Sequence, residues 1–528
     1  MISVLNPAAA ADNDTPTFAV VGAVNHGKSS VVATLAENDQ VRISRMPGET
    51  VENQRFALGT FPLGSLFTFH DTPGFQNARE ALAQLRDAAS DAQPLRRFAA
   101  FIERHRSDPA FAAECRLFEP VVRGAGIVYV VDAARPLREL HSAEMELMRL
   151  TGAPRLAIIN RTMPASGEHP SGDHLLDWKL RLGQHFNAVR EFDAHQARFT
   201  DRIELLETLA GIEQRWKPRL MQAVQVLRAD RDQRLDEAAR ITADWLLRAL
   251  SYREEQRTAD EPEADILARF KATLARDETA AHAALIALFS HHHVQPATDA
   301  QGLFADDLFS EATWQLLGLD ARQLLGAGTA AGAAVGASTD LLTAGHTLML
   351  GSVIGAAIGA AGAFALGKRQ PELAVRNPLD VSSDALPGPL RQLVPERWRA
   401  SARLAGRVRS VGPYAALNFP WILIDRAVGT LACVAQRAHA RRDIEQLDAQ
   451  RLRDLLAAQH LASSAWPAED RRVAESAVAA VRRTRATPAD EAQLSELRDT
   501  LRRWMSRLDH ERSAGHPDGV APAPTIPA

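Results

Sequence analysis

Residues 22–29 read GAVNHGKS. The run follows FAVV (Phe18–Val21), a short apolar stretch of strand formers, and precedes VVATLA, which has helical character. Strand, glycine loop and helix, in that order, is the context a phosphate-binding loop requires. Gly22 and Gly27 let the backbone wrap closely around phosphate oxygens with its N–H groups turned inward. The helix that follows begins at the anion and offers its positive end. Lys28 reaches the β- and γ-phosphates, and the Ser29 hydroxyl suits Mg²⁺. Asn25, His26 and Ser30 belong to the same stretch and count among the expected binding residues. The competing reading is a chance Gly/Lys string in a surface turn.

A second motif weakens that competitor. An apolar stretch ending at Phe67–Phe69 runs into His70-Asp71-Thr72-Pro73-Gly74. An Asp at a strand's C-terminal end, with Gly three residues on, suits a turn that holds Mg²⁺ through water and senses the γ-phosphate through the Gly74 N–H. Between the two motifs lies Met46-Pro47-Gly48-Glu49-Thr50. A mobile Thr50 there completes the Mg²⁺ shell only when a γ-phosphate is present. Lys28, Thr50 and Gly74 are therefore the expected catalytic group, and Ser29, Thr50 and Asp71 the expected metal group.

Together GAVNHGKS, PGET and DTPG resemble the first three signature boxes of the Era/TrmE-type GTPases, over roughly residues 17–212. The resemblance implies an α/β P-loop NTPase fold (a G domain), GTP and GDP as ligands, Mg²⁺ as cofactor, and hydrolysis of GTP. Asn25 matches the asparagine that helps bind K⁺ at the phosphates in some members. Phe75 follows the DxxG box, where members of this group often carry a hydrophobic residue in place of a catalytic glutamine. The implied hydrolysis is slow and rests on Mg²⁺, a positioned water and a monovalent cation or partner.

The base-binding side departs from the family pattern. AGIVYVV (Ala125–Val131) and RLAIIN (Arg155–Asn160) read as buried strands. The second should end in NKxD, whose Asp pairs with guanine and leaves adenine unpaired. Here it ends Asn160-Arg161-Thr162-Met163, without the acid. Asn160 keeps the structural role of tying this loop to the phosphate loop. The strand Val189–Phe192 leads to Asp193-Ala194-His195, where the Ala194 N–H matches a contact to the base oxygen. A base-promiscuous NTPase or ATPase stays open as an alternative, as does a scaffold that binds nucleotide without turnover.

A helical insertion is expected at about 76–122, because some fifty residues separate Gly74 from Gly126 and a gap of that length is functional or an inserted subdomain. AREALAQLRDAASDAQPLRRFAAFIERHR reads as strongly helical. It is either a relay of nucleotide state or a passive insertion.

The rest of the chain reads as helix. At 528 residues the chain suggests two or three domains. Aromatics are 6% and Ala, Leu and Arg abundant, which favours helices. A net charge of −4 offers no global basic field, and no nucleic-acid partner is expected. Cys115 and Cys433 stand far apart without metal-ligand spacing and read as reduced thiols. His291-His292-His293 reads as an exposed turn rather than a metal site.

Leu324–Leu366 contains no Lys, Arg or Glu and a single acid, Asp340. Glycines recur every fourth residue at Gly328, Gly332 and Gly336, and again at Gly351, Gly355 and Gly359. That spacing smooths one helical face for close approach. The expected glycine-zipper hairpin, 323–367, is either a hairpin at the inner membrane with cytoplasmic ends or a tightly packed internal hairpin. The basic stretch from Leu390, LRQLVPERWRASARLAGRVRSVG, is either an interfacial helix on anionic lipid or a solvated helix face. An apolar helix follows, with Pro420 near its start. These features, with the G domain, resemble bacterial GTPase proteins carrying the DUF3482 region over nearly the whole chain.

The expected organisation is a disordered leader (1–16), a G domain (17–212), a mostly helical domain (213–512) and a disordered tail (513–528). The expected role is a GTP-binding switch or remodelling factor at the inner membrane. Its partners would be guanine nucleotide and an inner-membrane lipid or membrane protein; self-association stays open.

Overall fold

The computed structural model describes residues 3–4, 15–23, 26–35, 54–60, 64–87, 93–160, 172–258, 260–289, 308–320, 323–324, 409–414, 416–435, 448–481 and 488–509. Asn25, Thr50, Arg161–Met163, His291–His293 and nearly all of the glycine-zipper stretch lie outside them. The chain divides into two compact units: Met1–Arg234 with Ser290–Val294 and Gln436–Asp443, and Leu235–Phe289 with Gln295–Ala435 and Ile444–Ala528.

The first unit holds β1 (Ser3–Val4), β2 (Thr17–Val21), α1 (Lys28–Leu35), β3 (Gln54–Thr60), β4 (Gly64–Asp71), α2 (Ala78–Asp87), α3 (Pro94–His105), α4 (Ala112–Val122), β5 (Gly126–Asp132), α5 (Glu139–Leu150), β6 (Arg155–Asn160), α6 (Gly172–Gly183), β7 (Ala188–Phe192), α7 (Phe199–Ile212) and the start of α8 (Lys217–Ser251). The strands form one sheet in the order β1-β3-β4-β2-β5-β6-β7. Five of them, β4 to β7 in that order, run parallel, while β3 and the short β1 pair antiparallel at one edge.

A parallel sheet needs both faces covered, and its strands read as near-continuous apolar runs. GIVYVVD in β5 is buried at every position. Alternate residues divide between two cores, as the two-residue side-chain period demands. Phe18, Val20, Val128, Val130, Leu156 and Ile158 face α1, α7 and the start of α8. Ala19, Val21, Ile127, Tyr129, Val131, Ala157 and Ile159 face α2 to α6. Within 76–122 the described residues form three α-helices, α2, α3 and α4, with α3 starting at Pro94, a residue suited to a first helical turn.

The second unit holds the rest of α8, β8 (Glu254–Glu255), α9 (Glu263–Leu288), α10 (Glu311–Leu316), β9 (Ser410–Val411), α11 (Phe419–Ala435), α12 (Ala449–Ala458), α13 (Ala468–Val481) and α14 (Pro488–Ser506). Helix α11 is buried along nearly its whole length, Asp425 and Arg426 included. Two local expectations change. The chain after Gly211, read as helix throughout, breaks after Ser251, where α8 ends and Glu254–Glu255 form a strand. The basic stretch from Leu390 ends in a strand, Ser410–Val411, paired antiparallel with Glu254–Glu255. Among the described residues no helix is long and apolar enough to cross a membrane.

Candidate functional site

Parallel strands deliver their loops to one edge, and the crevice outside their C-terminal ends is where such sheets bind ligands. Strands β2, β4, β5 and β6 end there at Val21, Asp71, Asp132 and Asn160. GAVNHGKS leaves β2 and enters α1 directly at Lys28. Both glycines are obligatory. Gly22 has φ +145°, and a Cβ there would lie 2.3 Å from the Val130 carbonyl oxygen. Gly27 has φ +85°, and its Cβ would meet the Asn160 amide nitrogen at 2.2 Å.

Three of the expected residues, Lys28, Ser29 and Asp71, converge. The Ser29 hydroxyl donates to Asp71 Oδ2 at 2.6 Å. Lys28 Nζ folds back to the Ala23 carbonyl at 3.0 Å. Asp71 is 1% exposed, and its second oxygen, Oδ1, has no hydrogen-bond partner among the described residues. Burial raises the Asp71 carboxyl, with Ser29 and Lys28 pulling it back down. Burial lowers Lys28, against the opposing pull of Asp71 and Glu144. The Thr72 hydroxyl donates to the Val20 carbonyl at 2.8 Å, fastening DTPG to β2. Gly74 is buried directly after it, and Ser30 is buried in the first turn of α1.

Asn160 joins three loops. Its Nδ2 donates to the His26 carbonyl at 3.3 Å, and its Oδ1 accepts the Ala194 N–H at 3.1 Å. The Ala194 N–H is thus engaged inside the protein, and Ala194 is fully buried. Its carbonyl accepts Thr34 Oγ1 at 2.8 Å, which ties this loop to α1 as well.

His26 is 3% exposed, and its Nδ1 has no partner among the described residues. Burial pushes its pKa down to about 3, helped by His141, Arg135 and Lys28 and opposed by a hydrogen bond with the Val130 backbone. Its ring lies 5.6 Å from His141, whose ring lies 4.9 Å from Trp178. The Trp178 indole N–H donates to the Arg135 carbonyl at 2.8 Å.

Two carboxylates that sequence reasoning missed sit close by. Glu144 of α5 accepts the Tyr129 hydroxyl at 2.6 Å, and burial raises its pKa to about 7 despite Tyr129 and Lys28. Glu114 of α4 is fully buried and accepts the backbone N–H groups of Gln76 and Asn77. Phe75, in the place of a catalytic glutamine, is 5% exposed and packs edge-on against Phe118 at 6.1 Å.

The donor set fits Mg²⁺. The ion prefers hard oxygen ligands and keeps several waters, and Ser29 Oγ beside a buried, half-open Asp71 carboxylate supplies such oxygens.

Family models match a 50S ribosome-binding GTPase domain over residues 17–161 and a domain of unknown function, DUF3482, over residues 179–503. Among solved structures the chain is similar to Era in complex with MgGDPNP and nucleotides 1506–1542 of 16S ribosomal RNA. That match has 17% identity and a TM-score of 0.27, and covers 38% of this chain and 56% of that one. It is also similar to a variant of Aquifex aeolicus Era bound to GDP·AlF4⁻, at 16% identity and a TM-score of 0.25, covering 46% of this chain and 71% of that one. No curated protein matches it. Since the DUF3482 match takes in more than half of the chain, the protein belongs to the DUF3482 family and joins that domain to an N-terminal P-loop GTPase domain.

Proposed function

We propose that the G domain binds GTP and GDP with Mg²⁺ and hydrolyses GTP slowly, as a switch or remodelling cycle at the inner membrane. One observation carries the nucleotide reading. Ser29 and Asp71, from two motifs 42 residues apart, meet at 2.6 Å beside a buried lysine, leaving Asp71 Oδ1 open. In this reading Lys28 leaves the Ala23 carbonyl for the phosphates, and Gly22 and Gly27 leave room for backbone N–H groups to surround them. Ser29 and Thr50 hold Mg²⁺, with Asp71 reached through water, and the ion neutralises charge on the phosphates. Gly74 senses the γ-phosphate, and Asn25 is the candidate K⁺ partner. Slow turnover follows from Phe75, an apolar, buried side chain that positions no water by hydrogen bonding.

Base promiscuity is the second reading. Both ends of the Asn160 amide are engaged within the protein, and Asn160-Arg161-Thr162-Met163 has no acid to read guanine. Competition of GTP and ATP against a fluorescent guanine nucleotide decides between the two. A GTP preference of about a hundredfold, or about 2.7 kcal/mol, supports the GTPase reading. Equal competition by ATP replaces it with a promiscuous NTPase. Association with the inner membrane rests on the glycine spacing of 323–367 alone. Full-length protein that ignores liposomes in flotation would remove it.

A further inference from the structure

The segment just after the γ-phosphate sensor is fastened by residues of the inserted helices. Helix α2 begins at Ala78, and the N–H groups that open a helix have no partner within it. Asn77, an ordinary N-cap residue type, directly precedes Ala78, and its carbonyl accepts the Ala81 N–H at 3.0 Å. Here Glu114, on α4 and 38 residues further along, accepts the Gln76 N–H at 2.8 Å and the Asn77 N–H at 2.6 Å through the same oxygen, Oε1. Its other oxygen, Oε2, is buried with no partner among the described residues. Two more contacts fix Asn77 and the neighbouring Phe75. The Asn77 side-chain amide donates to the Ala110 carbonyl at 2.5 Å, and Phe75 packs against Phe118, one turn beyond Glu114 on α4. Glu114 also lies within electrostatic reach of Glu144, and Glu144 of Lys28. Glu144 thus lies within electrostatic reach of both the phosphate-loop lysine and α4.

We infer that Glu114 is a positioning residue, which holds the amides after Gly74 so that the γ-phosphate sensor and helix α4 move together. The inference rests on the nucleotide reading above and gives the insertion a specific role, in which α4 reports whether a γ-phosphate is present. A buried carboxylate that reaches back across the insertion to the two amides just before α2 makes sense as a link between the two elements.

The test uses the full chain with Mg²⁺ and either GDP or a non-hydrolysable GTP analogue, followed by hydrogen–deuterium exchange and steady-state phosphate release. In the wild type, peptides covering 75–87 and 110–122 should both gain protection with the analogue over GDP. In Glu114→Ala, the gain over 110–122 should vanish while GDP affinity stays within about twofold, and kcat should fall about tenfold at unchanged KM. Glu114→Gln keeps an acceptor oxygen and should retain kcat within about threefold. The inference is overturned if Glu114→Ala keeps both kcat and the analogue-dependent protection of 110–122 while only its melting point moves. It is overturned equally if the Gln variant is as impaired as the Ala variant. Should the Ala variant not fold, the wild type decides: analogue protection of 75–87 without any change over 110–122 rejects the coupling. A wild type that binds neither nucleotide is a different result, because it removes the nucleotide reading and the coupling with it.

Discussion

Two buried polar clusters in this chain are built on opposite plans. In the helical unit, Asp425 uses both oxygens, accepting the Gly318 and Ser463 N–H groups at 2.7 Å each. Asn418 accepts the Leu319 N–H and donates to the Leu317 carbonyl. Arg426 meets Glu278, both almost fully buried. Beneath the phosphate loop, by contrast, Asp71 Oδ1, His26 Nδ1, Glu144 Oε1 and Glu114 Oε2 are buried with no partner among the described residues. Buried polar atoms without partners are costly. A closed cluster specifies a fold, whereas an open one holds interactions in reserve for something that arrives. Scattered buried atoms without a described partner occur in the helical unit too, Trp245 Nε1 and Ser463 Oγ among them, so the difference teaches a narrower lesson: chemistry is to be sought where open carboxylate oxygens lie within electrostatic reach of a buried lysine at the strand ends.

The comparison is broken or sharpened by four measurements. Arg426→Met should have the largest effect, because it strands Glu278 as a buried charge: about 4 kcal/mol of stability lost by chemical denaturation. Replacing Glu278 as well should recover most of that loss, as expected for a purely structural pair. A pair whose double replacement recovers nothing would have a further role.

His26 should dominate the acid limb of G-domain stability. Its folded pKa, about 3, lies below the ordinary 6.5. The stability it contributes is therefore complete above pH 6.5 and is lost as pH falls towards 3. His26→Gln should flatten that limb by up to about 3 kcal/mol at about pH 4 in a pH-resolved urea titration. An unchanged limb would mean that the imidazole is hydrated.

Lys28→Ala should weaken nucleotide binding about a hundredfold or more, roughly 2.7 kcal/mol. It should leave the apo fold intact, because its only described hydrogen bond is to the Ala23 carbonyl. Asp71→Asn should give the smallest and most telling change. Its carboxyl is raised by burial, against the pull of Lys28, so removing the charge should change apo stability little while Mg²⁺-dependent nucleotide binding declines. Full Mg²⁺ dependence retained would take Asp71 out of the site.

Much of this was legible in the sequence, for identifiable reasons. Phe18–Val21, Arg155–Asn160 and the strand into Asp71 are apolar runs ended by a glycine or a polar residue, so their type and their functional ends could both be read. Gly22, Gly27, Ser29 and Asp71 carry their chemistry in residue type and spacing. Glu114 and Glu144 do not. Acidic residues in helices ordinarily read as solvated, and burial of these two depends on which helices cover the sheet. The trace was there: Glu114 shares a helical stripe with Leu117, Phe118 and Val121, and Glu144 shares one with His141, Leu147 and Met148. An acid on an apolar stripe marks a buried acceptor. The breaks at Pro94 and after Ser251 were harder to place, because Ala- and Arg-rich stretches on either side have equal helix propensity.

The ring contacts from His26 through His141 to Trp178 have one more consequence. Of the eight tryptophans in the sequence, Trp178 is the one linked in this way to the phosphate loop among the described residues. The protein carries its own optical reporter: a ligand that displaces the His26 ring alters the surroundings of an indole, and the ultraviolet emission of the unlabelled chain registers its arrival.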